Sequence, residues 1–367
     1  MGLVGRSAEL GELAALLDRA GTGFGGVITL VGTAGSGKSA LAAEAAALAR
    51  DRGFEVAGGS PVRGRPGRLV WAGLLDDLGA DPGVTGALLA DPSPADTNVA
   101  VRLLAAGTRR LIVVDDIDRG GQEAVDMLAL VAARLTACST AVVVTSAVPL
   151  GVGRDLRLGG LSEGDLAAVA GEMPNGQRHA VWVASGGMPG PARTLAGQLA
   201  GLPPGRDALV HLALHAAQRG EFLGVDDGLV RLLDRALARS ADDASRARLL
   251  ARLSRELLGD PLAGPRRRSL ADEALMLASR SGDDSALAEV LDARLYALWD
   301  PAGARDRLVA AAELIRLGRD TGDGARERDG LFWRFIALME LAQVDQAEVA
   351  LAAFERAAAA AATPMPW

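Results

Sequence analysis

Two hydrophobic rhythms divide the chain. Over the first 160 residues, short continuous apolar runs alternate with stretches of helical periodicity; beyond that only the helical rhythm continues. Val27-Ile28-Thr29-Leu30-Val31, Leu111-Ile112-Val113-Val114 and Ala141-Val142-Val143-Val144-Thr145 read as strands buried on both faces, the habit of a parallel sheet. Phe54 to Gly58 and Leu156 to Leu158 are weaker strand candidates. Leu10, Leu13, Leu16 and Leu17 share one face of a helix that Ser7 is expected to cap and that runs to about Ala20. Further helices are predicted over 39–50, 69–78, 97–106 and 122–135, and Ser162 is placed to cap another. Between 60 and 110 the pattern is an excursion, two helices around a Pro/Asp/Gly loop. Strands alternating with helices imply an α/β three-layer architecture.

From about Leu166 the chain reads as helical. Ser185-Gly186-Gly187-Met188-Pro189-Gly190 interrupts it, and Gly201-Leu202-Pro203-Pro204-Gly205 reads as a linker. An echo follows at a spacing of 40: Leu275-Met276-Leu277-Ala278-Ser279-Arg280-Ser281-Gly282-Asp283 against Ile315-Arg316-Leu317-Gly318-Arg319-Asp320-Thr321-Gly322-Asp323. A second helix follows each, over 286–299 and 325–341. This predicts stacked helical hairpins with a face for a protein partner or for self-association. A last helix, 345–362, opens a hairpin that is not completed, and the ending at Pro364-Met365-Pro366-Trp367 reads as the point where a further segment is missing. The expected division is 1–160, an α/β domain; 161–203, a small helical subdomain; and 204–367, helical repeats.

Composition narrows the function classes. A net charge of −7 gives no general affinity for nucleic acid, so no DNA binding is expected of these residues. Cys138 stands alone, which rules out an intrachain disulfide and suits a reducing cytoplasm. No secretory signal pattern opens the chain, and no apolar run approaches membrane-spanning length.

The chemistry concentrates in Gly32-Thr33-Ala34-Gly35-Ser36-Gly37-Lys38-Ser39, followed by Ala40. It matches the G-x-x-x-x-G-K-[ST] phosphate-binding P-loop and lies between a predicted strand and a predicted helix, the context the motif needs. The glycines let backbone N–H groups crowd round an anion, and the helix N-terminus adds free amides. Lys38 is expected on the β- and γ-phosphates, and the Ser39 hydroxyl on Mg²⁺. Lys38 is the only lysine beside 38 arginines, so an ammonium is kept where a compact charge on a flexible stem is required. Asp115 and Asp116 end an apolar strand 77 residues after Lys38, the Walker B arrangement. Asp115 is expected to hold Mg²⁺ and Asp116 to polarise attacking water. Asp118 reads as a turn or cap residue. Thr145 ends the next strand, either as a sensor of the γ-phosphate or simply as a polar strand end.

Other constellations have blander readings. His211 and His215 share a helix face but lack the third ligand of a zinc site. Arg266-Arg267-Arg268 is expected to be solvated or paired with acids such as Asp272, and Phe332, Trp333 and Phe335 to be hairpin core. Arg109 and Arg110 read as a solvated strand entry rather than arginine fingers.

With these residues in place the chain resembles the signal-transduction ATPases with numerous domains, a branch of the AAA-like P-loop ATPases. More narrowly it resembles the large bacterial regulators of the LuxR/maltose-activator type, which join an ATPase to helical repeats. The resemblance rests on Val4-Gly5-Arg6 with Glu9-Leu10, the P-loop, Asp115-Asp116, Gly187-Met188-Pro189 and the leucine-rich hairpins after 228. It implies a parallel sheet of order 5-1-4-3-2, with Val4, Gly5 and Arg6 near the adenine and Pro189 against the nucleotide. It also implies ATP or ADP with Mg²⁺ as ligands and a nucleotide-controlled switch, part of a transcriptional regulator, with weak hydrolysis. A nucleotide-binding scaffold without turnover is the alternative, and a replication-loader-like ATPase a third reading. The chain departs from relatives at Ile117-Asp118-Arg119-Gly120-Gly121, where a His-Trp-Ala-Asp run is usual, and at Ala147, where Arg is frequent. No winged-helix segment is recognisable in 205–228, and no helix-turn-helix output domain is present.

Overall fold

The computed structural model describes residues 3–90, 92–106, 109–203, 206–216 and 224–361. Pro204 and Gly205 of the expected linker, and the Pro364–Trp367 ending, lie outside the described residues. The chain divides into two compact units, Met1–Met173 with Ser185–Ala196, and Pro174–Ala184 with Gly197–Trp367.

The first unit is built on a five-stranded parallel sheet. Its elements are α1 (Ser7–Gly21), β1 (Gly26–Val31), α2 (Lys38–Asp51), β2 (Glu55–Gly59), α3 (Arg68–Asp77), α4 (Pro82–Leu89), α5 (Pro94–Ala105), β3 (Arg110–Val114), α6 (Gly121–Ala132), β4 (Thr140–Ser146), β5 (Arg154–Arg157) and α7 (Glu163–Ala170). The sheet order is β2-β3-β4-β1-β5, all neighbours parallel, which is the 5-1-4-3-2 order read from the other edge. Successive strand residues face opposite sides, so one apolar run feeds two cores. Ile28, Leu30, Leu111, Ala141 and Val143 pack under α1 and α2, while Val27, Ile112, Val114, Val142 and Val144 pack under α3, α5 and α6. Helices on both faces make the three layers.

Two local expectations are corrected here. Ser7 is the first residue of α1 rather than its cap; Arg6 holds the cap position and no side chain caps the helix. The Pro/Asp/Gly loop of the excursion contains a helix, α4: Asp81 caps it through Gly83 N–H at 2.7 Å, and Pro82 supplies the fixed φ of a first helical turn.

After α7 come α8 (Asn175–Ser185), α9 (Pro189–Gln198) and α10 (Ala208–His215). The chain thus enters the second unit with α8, returns to the first with most of α9, and then stays in the second. Helices α11 (Asp227–Leu237), α12 (Asp243–Glu256), α13 (Gly264–Ser281), α14 (Asp284–Ala297), α15 (Ala304–Thr321), α16 (Gly324–Glu340) and α17 (Val344–Ala360) follow. The 40-residue echo is structural. Gly282 and Gly322 end α13 and α15 in the left-handed region, at φ of 68° and 70°, and Asp283 and Asp323 cap the helices that follow.

The arginine triplet is paired with acids, but not with Asp272, which binds Arg294. Arg266 meets Asp234, and Arg268 meets Asp300. Arg267 is buried and donates to the Leu258 carbonyl at 3.2 Å. Forty residues on, fully buried Arg307 donates to the Leu298 carbonyl and pairs with Glu340.

Candidate functional site

The glycine loop joins the carboxyl end of β1 to the start of α2. Gly35 and Gly37 stand at φ of 79° and 97°, a region that L side chains rarely adopt, so the curve of the loop depends on them. A side chain at Gly35 is excluded twice over, because a Cβ there would stand 2.7 Å from Pro191 Cδ. Gly190 N–H donates to the Gly35 carbonyl at 2.9 Å, so the opening turn of α9 lies directly on the loop. Lys38 is buried, and its ammonium donates to the carbonyls of Gly32 at 2.8 Å and Thr33 at 3.2 Å. Ser36 Oγ is buried without a hydrogen-bond partner. Thr33, Ala34, Ser39 and Ala40 are exposed.

Sheet order delivers the acids. β3 lies beside β4, and β4 beside β1, so the ends of three neighbouring strands converge. The Ser39 hydroxyl donates to Asp115 Oδ1 at 3.0 Å, and the Thr145 hydroxyl donates to the same oxygen at 2.6 Å. Thr145 Oγ1 in turn accepts Asp116 N–H at 2.7 Å. Asp116 has a φ of 50°, in the left-handed region, and its carboxylate pairs with Arg119 at 3.0 Å. Asp118 lies in the 3-10 turn Ile117–Gly120, as a turn residue, and its carboxylate also accepts Ala147 N–H at 3.3 Å from the loop after β4.

A hydroxyl and a carboxylate side by side are hard oxygen donors. Magnesium takes one or two protein oxygens and completes its shell with water and phosphate oxygens, so Ser39 and Asp115 fit it. Among the described residues no cluster of three or more His, Cys, Asp or Glu gathers to hold a metal. His211 and His215 stack with ring centroids 4.2 Å apart, and burial, with His215 and Arg206 nearby, lowers the His211 pKa.

Of the four residues implied by resemblance, two lie on the loop. Pro189 opens α9, and a Cβ at Gly37 would stand 3.7 Å from its ring. Arg6 is 6% exposed and is turned inward. It donates to the Ser36 carbonyl at 3.1 Å, to the Gly159 carbonyl at 2.7 Å and to Glu9 at 2.9 Å. The guanidinium is thus committed to protein acceptors. Gly5 is confined by Asp165, whose Cγ would lie 2.8 Å from a Cβ, and Val4 is exposed. Arg110 pairs with Glu55 at 2.8 Å across the sheet edge. Sequence reading missed Arg119, Gly190 and Pro191. The spacing of three between Asp116 and Arg119 was the available signal for the first. The other two come close only through the fold.

Residues 2–144 match the family model described as the AAA ATPase domain. No curated protein matches the chain. Among solved structures, the chain is similar to the signal transduction ATPase with numerous domains from Pyrococcus horikoshii, which carries a tetratricopeptide repeat sensor, at 12% identity and a TM-score of 0.37 over 94% of this chain and 76% of that one. AMPPCP-bound DnaA from Aquifex aeolicus aligns at 12% identity and a TM-score of 0.41, over 76% of this chain and 93% of that one. Drosophila ORC bound to DNA aligns at 16% identity and a TM-score of 0.39, over 77% and 75%. No described helix is long and apolar enough to cross a membrane.

Proposed function

We propose that the chain is an ATP–Mg²⁺-binding regulatory switch of the signal-transduction ATPase kind, with ATP or ADP held in the P-loop of the α/β domain. The observation that carries the reading is the network Ser39–Asp115–Thr145–Asp116, assembled next to Lys38 from the start of α2 and the ends of the adjacent strands β3 and β4. Each group has a task. The loop amides and the start of α2 take phosphate oxygens. Lys38 leaves the Gly32 and Thr33 carbonyls for the β- and γ-phosphates. Ser39 and Asp115 hold magnesium, which when bound neutralises phosphate charge. Asp116 orients the attacking water. The division into 1–160, 161–203 and 204–367 belongs to this reading: an ATPase domain, a small helical subdomain and a repeat arm for a protein partner or a second copy. The contact of α9 with Gly35 supports it, because a helix of the small subdomain rests on the nucleotide loop. The place in a transcription regulator rests on the resemblance of the residues alone.

Titration calorimetry of ATP with the wild type and Lys38→Ala tests the proposal. The variant is expected to bind about tenfold more weakly or worse, since it loses a charge-assisted contact to phosphate. Equal affinities would overturn the reading.

A second reading, a nucleotide-binding scaffold without turnover, is favoured by the Asp116–Arg119 pair, which engages one oxygen of the carboxylate that would polarise water. Phosphate release decides between them. Turnover abolished by Asp116→Asn supports the switch with hydrolysis; no turnover in the wild type supports the scaffold.

A further inference from the structure

We infer that Arg6 is a positioning residue of the phosphate site, an internal strut that fixes the curvature of the P-loop. The inference rests on the nucleotide-binding reading and deepens it.

A buried guanidinium is costly unless its N–H groups find acceptors. Arg6 finds three, in different directions: Glu9 on its own helix, Ser36 in the P-loop, and Gly159 beyond the end of β5. Only the planar fork of arginine can serve them together; a lysine ammonium is a single point on a flexible stem. The Ser36 carbonyl is the informative acceptor. In a planar trans peptide the C=O of one residue and the N–H of the next point in opposite directions. Holding the Ser36 carbonyl on Arg6 therefore aims Gly37 N–H to the opposite side of the loop. Ser36 lies between the two positive-φ glycines, where the backbone has the greatest freedom to turn the wrong way.

The other anchor closes a ring. From Gly159 the chain runs to Gly160, where a Cβ would stand 2.1 Å from the Gly186 carbonyl, and to Leu161, whose N–H donates to the Gly187 carbonyl at 2.8 Å. Gly187 leads into Pro189-Gly190-Pro191, and Gly190 N–H returns to the Gly35 carbonyl at 2.9 Å. The peptides after Gly35 and Ser36 are thus held from two sides, one by α9 and one by Arg6. Ser36 Oγ makes no bond of its own, so the Ser36 side chain does not share the work.

The test compares ATP with inorganic tripolyphosphate, which has neither base nor ribose, by calorimetry in magnesium buffer on the full chain. Arg6→Ala is expected to weaken both ligands by the same factor, about tenfold or more, as befits loss of charge-assisted hydrogen bonds that shape the phosphate cradle. Arg6→Lys, which reaches one carbonyl at a time, is expected to fall between wild type and Arg6→Ala for both ligands. Thermal melting without ligand identifies any variant that fails to fold. Should Arg6→Ala fail, Arg6→Lys and Arg6→Gln carry the same comparison. A loss confined to ATP would overturn the inference in favour of a contact to the base or ribose. Unchanged affinities for both ligands would overturn it as well. A wild type that binds neither ligand would remove the nucleotide reading and this inference together.

Discussion

Thr145 never meets solvent, yet both acids of the site are fixed through its hydroxyl. The proton goes to Asp115 and a lone pair takes Asp116 N–H, so little of the group is left over for a phosphate oxygen. Its place at a strand end read either as γ-phosphate sensing or as a plain polar end, and the geometry adds that its hydroxyl supports the residues expected to meet metal and water. Thr145→Val keeps the shape and deletes the hydroxyl. It leaves a backbone N–H and one lone pair of Asp115 unpaired, and is expected to cost about 1–3 kcal/mol of stability, read as a lowered melting temperature. The loss of ATP affinity should be larger in magnesium than in EDTA, because Asp115 is the group set adrift. Thr145→Ser should restore both. Equal losses with and without magnesium would show that the hydroxyl does not serve the metal side. Sequence could show which residue stands at the strand end; it could not show that the hydroxyl was already taken.

At the scale of elements, legibility followed the density of the signal. The buried strands were readable because each is a continuous apolar run of the right length, and the P-loop because its spacing is rigid. Helix α4 was not, since Asp-Pro-Gly belongs equally to a turn and to a capped first turn with proline. The repeat was readable at its glycine–aspartate corners, which have no freedom to vary at positive φ. Its deeper part was hidden. Arg267 and Arg307 stand 40 residues apart, and each donates to a leucine carbonyl nine residues earlier. A triplet of arginines looks solvated in one dimension, and its middle member is a buried tie only once the hairpin folds. The opening turn of α9 repeats the lesson. Gly190 and Pro191 are unremarkable beside Pro189 in sequence, yet they are the residues that touch the loop at Gly35.

For the whole molecule, the two compact units set a question that energy can answer. A ligand that binds only the folded state stabilises it by RT ln(1 + [L]/Kd), about 2.7 kcal/mol at a hundredfold excess over Kd. If the units unfold independently, ATP raises the melting temperature of the P-loop unit alone and leaves the helical unit where it was. If ATP biases the arm, as the switch requires, coupling is reciprocal and the helical unit must move as well. Differential scanning calorimetry of the full chain, with and without Mg-ATP, separates the cases. The switch predicts that ATP displaces both transitions or merges them into one, and that Lys38→Ala abolishes both effects. Gly190→Ala sharpens the test. Its new Cβ would stand 2.8 Å from Gly35 Cα, so the variant must push the start of α9 off the loop. Gly190 N–H is one of the bonds that hold the loop, so the wedge is expected to shrink the ATP shift of the first unit and, with the switch, that of the second in proportion. An ATP effect confined to the P-loop unit in the wild type would leave a nucleotide-binding domain and a helical arm that share a chain without sharing a signal.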